Sequence, residues 1–71
     1  MPKLTERQRE LLIIAAEYST PRMLNPIYKR SFAGKYWRVF DRLEERGLLE
    51  LRTGGRYIIT EAGREALAAV Q

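Results

Sequence analysis

Apolar positions recur at helical spacing near the start of the chain. Leu11, Ala15 and Tyr18 mark a stripe flanked by Leu12 and Ile14, and a period near 3.6 residues is the mark of an amphipathic helix. Thr5 followed by Gln8 is a capping-box pair, in which the threonine oxygen accepts from the third amide while the glutamine reaches back. Ser19-Thr20-Pro21 ends this first helix, because proline biases the residue before it away from helical geometry. The run from Leu11 to Ala16 leaves Ile13 on the side away from Leu11. A helix apolar nearly all round is either deeply buried or touches a partner.

Asn25-Pro26 opens a second, short helix, with asparagine as N-cap and proline at the first helical position. In it Ile27, Tyr28 and Phe32 face inward while Lys29 and Arg30 face out. A third helix runs from about Gly34 to Arg46, its apolar stripe made of Ala33, Tyr36, Phe40, Leu43 and Gly47, within about 80° of one another. Its opposite side carries Arg38, Asp41, Arg42 and Glu45, and Gly47 suits a left-handed helix cap. The period then falls to two. Leu49-Glu50-Leu51-Arg52 and Tyr57-Ile58-Ile59-Thr60 flank a Thr53-Gly54-Gly55-Arg56 turn, which reads as a β-hairpin. Thr60 caps a last helix from Glu61 to about Val70. The expected fold is a single domain over residues 1–71, mainly α with a small β-hairpin.

Composition narrows the chemistry. The 71 residues include no cysteine and no histidine, which removes thiolate sites, the commonest general base and the commonest metal ligand. Asp41, Glu44 and Glu45 form the one acidic cluster, on an ordinary helix surface. An enzyme is not expected, and neither is a cofactor, a metal or a small-molecule ligand. The longest apolar run is six residues, far short of a membrane span. The start, Met1-Pro2-Lys3-Leu4-Thr5, leads straight into helical sequence, so a cytoplasmic protein is expected.

Net charge is +4, but its distribution says more than its size. No acid lies between Tyr18 and Phe40, a stretch that holds Arg22, Lys29, Arg30, Lys35 and Arg38, while the rest of the chain sums to −1. A fold that gathers this segment on one side presents a basic face to a polyanion. If it does not, the same residues form a solvated surface.

At Leu43-Glu44-Glu45-Arg46-Gly47-Leu48-Leu49, followed by Tyr57-Ile58-Ile59-Thr60-Glu61-Ala62-Gly63-Arg64-Glu65-Ala66-Leu67, the chain resembles a winged helix-turn-helix domain of the MarR and PadR regulator kind. Leu4-Thr5-Glu6-Arg7-Gln8 is similar to the start of a first helix in those families, so the resemblance spans about residues 4 to 70. It implies that the second and third helices form the helix-turn-helix, that the third is the recognition helix, and that the hairpin is the wing. The base-facing positions are then Lys35, Trp37, Arg38, Asp41 and Arg42, and Arg52 and Arg56 lie at the wing tip. The chain departs from the pattern at Asn25 to Gly34, in its very short wing, and in lacking long dimerisation helices.

The residues point the same way. Arg38 lies on the outward face of a helix that fits a major groove, where arginine can pair with guanine. Arg22, Lys29 and Arg30 would meet phosphates. Arg52 and Arg56 flank two glycines that let the backbone approach closely. Trp37 falls at the edge of the core stripe, covering a seam or meeting a partner. Ile13 and the last helix, with Ala66, Leu67 and Val70, suggest a homodimer through the first and last helices. The expected function is sequence-specific binding of double-stranded DNA by a small prokaryotic or viral transcriptional regulator. The alternative is a winged helix used for protein contacts.

Overall fold

A computed structural model describes residues 3–20 and 22–70, apart from the side chain of Val70. The described residues form three α-helices and a small antiparallel sheet. In order these are α1 (Glu6–Tyr18), β1 (Ile27–Tyr28), α2 (Trp37–Glu45), β2 (Leu49–Arg52), β3 (Arg56–Ile59) and α3 (Glu61–Val70), with single 3-10 turns at Lys29–Ser31 and Gly34–Tyr36. The sheet order is β1-β3-β2.

The helix ends follow from side-chain chemistry. Thr5 Oγ1 accepts from the Gln8 amide at 3.1 Å and Gln8 Oε1 accepts from the Thr5 amide at 3.2 Å, completing the expected capping box. Gln8 Oε1 also accepts from Arg46 Nη1 at 3.0 Å, which ties the start of α1 to the end of α2. That end is closed by Gly47 at φ +75°, a region that favours glycine. The amides of Gly47 and Leu48 then reach the carbonyls of Glu44 and Leu43, both at 2.9 Å, the double bond of a Schellman cap. Thr60 Oγ1 accepts from the Gly63 amide at 3.0 Å and donates to Gly47 O at 2.7 Å, joining the cap of α2 to the start of α3. α1 stops at Tyr18, and a turn follows in which Ser19 bridges Leu24; Pro21, expected to end the helix, lies outside the described residues.

The expected second helix at Asn25–Pro26 is absent. Ile27 and Tyr28 form a strand that pairs with Tyr57 and Arg56 of β3, so the expected hairpin is a three-stranded sheet. Pro26 holds Asn25 toward extended geometry, and fewer than ten residues separate it from Gly34, too few for a stable isolated helix. As a strand, Ile27 is buried in the core with 4% exposure. The third helix also begins later than expected: residues 34–36 form a 3-10 turn, and the α-helix starts at Trp37.

Residues opposite each other on neighbouring strands share a face. Leu49, Leu51, Ile27, Tyr57 and Ile59 therefore lie on one face, and Glu50, Arg52, Arg56, Ile58 and Tyr28 on the other. All of the first set but the exposed Leu51 meet the helices. Leu11, Leu12 and Ala15 of α1, Phe40 and Leu43 of α2, and Leu67 of α3 close the core with Ile27, Leu48, Leu49, Tyr57 and Ile59. Aromatic rings continue it outward, Tyr57 to Phe40 at 4.8 Å and Phe40 to Phe32 at 5.2 Å. Burying each large apolar side chain contributes about 1.5–3 kcal/mol, so a core this small depends on every member.

Candidate nucleic-acid interface

α2 buries Phe40 and Leu43 and turns Arg38, Asp41 and Arg42 to solvent. The two arginines are one turn apart and make no hydrogen bond or ion pair through their side chains among the described residues. Asp41 instead accepts from Lys29 Nζ at 2.8 Å. That bond holds the Lys29 ammonium above its ordinary pKa, so its charge persists well past neutrality. The ammonium also stands 5.6 Å from the centre of the Trp37 ring, within the range of a cation–π contact. Trp37 Nε1 donates to Phe32 O at 3.3 Å, and the ring remains 47% exposed. Trp37 thus ties α2 to the preceding segment and keeps half its surface open.

The hairpin carries a second group. Arg52 and Arg56 stand opposite each other on the face of the sheet turned from the core, an arrangement that like charges disfavour. Arg52 Nε donates to Glu50 Oε2 at 2.7 Å, and Arg56 Nε donates to Thr53 O at 2.7 Å. Tyr28 lies opposite Arg56 on the same face, and Arg30 sits 5.4 Å over its ring. Lys35 stands 5.5 Å over Tyr36, whose hydroxyl donates to Glu10 of α1 at 3.2 Å. Arg22 is exposed and makes no hydrogen bond or ion pair among the described residues.

The structure thus brings Lys29, Trp37, Arg38 and Arg42 together on and beside α2. It sets Arg30, Arg52 and Arg56 on the outer side of the sheet, and among the described residues no hydrogen bond or ion pair links Arg22 or Lys35 to either group. The Lys29–Asp41 pair joins residues twelve apart, and no local pattern in the sequence announces it.

Of the residues expected at a partner face on the first and last helices, Leu67 is 7% exposed within the core, and Ile13 and Ala66 are half-buried against it, because α1 and α3 pack on each other. The side chain of Val70 lies outside the described residues. Among the described residues the exposed large apolar side chains are Tyr18, at the end of α1, and Met23, Leu24, Trp37 and Leu51. A cleft of about 260 Å³ lies between α1 and the 26–32 segment, lined by Ile14, Tyr18, Ile27, Tyr28 and Phe32. Its volume falls short of the range usual for small-molecule sites. No described helix is long and apolar enough to cross a membrane. No protein-family model, curated protein or solved structure matches the chain.

Proposed function

We propose that the chain is a small winged helix-turn-helix domain that binds double-stranded DNA in a sequence-specific manner and regulates transcription by occupying an operator. In this reading α2 enters the major groove, the β2–β3 hairpin is the wing, and the 3-10 turn at Lys29–Ser31 stands where a helix-turn-helix would place its first helix. The observation that carries the reading is the pair Arg38 and Arg42, exposed one turn apart on α2 and free of carboxylate partners among the described residues. Unpaired guanidinium groups on a short, exposed helix suit guanine edges and phosphates. The opposed Arg52 and Arg56 at the hairpin add support, since an anion between them relieves their repulsion.

A second reading, a protein-contact module, is favoured by the half-exposed Trp37 together with Tyr18, Met23 and Leu24. Two variants separate the readings. Arg38→Ala should cost about 1–3 kcal/mol on a preferred duplex and relax its sequence preference, whereas Arg56→Ala should weaken binding to all sequences alike. Gel-shift titrations against a duplex library measure both effects. If neither variant changes binding and Trp37→Ala abolishes capture of a protein partner, the DNA reading fails.

A further inference from the structure

α2 carries one carboxylate between its two exposed arginines. Asp41 follows Arg38 by three residues and immediately precedes Arg42, yet its Oδ1 is given to neither. It holds Lys29, a residue of the 3-10 turn at Lys29–Ser31, at 2.8 Å. The pair stands partly in water, with side-chain exposures of 26% for the lysine and 56% for the aspartate. The hairpin repeats the arrangement, Glu50 holding Arg52 at 2.7 Å. At both places a cation of the proposed interface is already occupied by a carboxylate of the same chain.

A half-exposed ion pair is weakly held, because water competes for both charges. A phosphate oxygen reaching Lys29 can therefore take the place of Asp41, provided that it arrives on the side where the carboxylate now sits. We propose that Asp41 is a built-in counter-ion that competes with DNA phosphate for Lys29. Lys29 then joins the interface only where a phosphate is well enough placed to displace the aspartate. This inference rests on the DNA-binding reading and names a selectivity determinant within it. Asp41 lowers the affinity for duplexes in general and spares those whose backbone comes close to Lys29.

The test is a double-mutant cycle on the whole chain, with random-sequence duplex as the probe and salt concentration as the variable. Wild type, Asp41→Asn, Lys29→Met and the double variant are titrated side by side. Asparagine keeps the shape and one acceptor oxygen but removes the charge. Asp41→Asn should bind random duplex about threefold tighter or more at low salt. The slope of log affinity against log salt should steepen by about 0.9, as one further phosphate is engaged. Lys29→Met alone should weaken binding, since it leaves the Asp41 carboxylate unpaired, and added to Asp41→Asn it should cancel both the gain and the steeper slope. The inference is overturned if Asp41→Asn brings no gain, or if it steepens the salt slope as much in the Lys29→Met background, where no cation is left to be released. Wild type that binds with an unchanged Asp41→Asn removes this inference alone. Wild type that binds no duplex at any salt removes the DNA reading and the inference together. Melting curves verify folding, and Asp41→Ser replaces any Asp41→Asn protein that unfolds.

Discussion

A methyl group added at Gly63 would stand 2.3 Å from Leu48 O and 2.8 Å from Ile59 Cγ1. Backbone cannot yield at that distance, so α3 approaches the sheet as closely as it does only because position 63 lacks a side chain. Alanine in place of glycine inside a helix usually gains about 1 kcal/mol. Here the sign should reverse, with Gly63→Ala costing about 1–3 kcal/mol through overpacking, measured as a lower midpoint in chemical denaturation. A variant as stable as wild type would contradict the close approach. Gly47 was legible in the sequence because it follows a helical stripe and precedes Leu48, the pattern of a left-handed cap. Gly63 was not, because nothing local marks a glycine that is needed for contact with a residue fifteen positions away.

At the scale of elements, the capping residues and the change of period from helix to hairpin were legible, since each is written within a few neighbouring residues. The segment from Asn25 to Phe32 was not. Its capping pair reads as a helix start, but Ile27 and Tyr28 find backbone partners on β3, thirty residues along the chain. Tertiary pairing outweighs local preference there. The junction this creates between sheet and α2 has a predictable response to alkali. Burial raises the Tyr57 pKa above 10.0, the hydrogen bond to Glu10 raises that of Tyr36, and the bond to Asp41 raises that of Lys29 above 10.5. In each case the folded state holds its proton more tightly than the unfolded chain. The stability these groups contribute is therefore complete below their ordinary values and is lost as pH rises through the higher folded ones. The melting temperature should fall between about pH 9 and about pH 11, and Tyr57→Phe should flatten the fall. Equal melting temperatures at the two pH values would contradict the assignment.

At the scale of the whole molecule, a chain 30 × 30 × 17 Å across places most of its charge on the surface. The acid-free stretch from Arg22 to Arg38 was legible as a basic segment, and the exposed arginines of α2 follow from helical spacing. Which cations stay free was not legible, because Lys29 and Arg52 are answered by Asp41 and Glu50 across the fold or along a strand. Six cations of the proposed interface remain without a carboxylate partner among the described residues: Arg22, Arg30, Lys35, Arg38, Arg42 and Arg56. Trp37, the single tryptophan, precedes Arg38 on α2 and stands 5.6 Å from Lys29 Nζ, so its fluorescence reports on binding at that helix. The decisive measurement is a titration of the wild-type chain with random-sequence duplex DNA at several salt concentrations, followed by the fluorescence of Trp37. Engagement of four to seven phosphates predicts saturable binding whose log affinity falls against log salt with a slope of about −4 to −6. No binding at low salt, or binding indifferent to salt, would contradict the account.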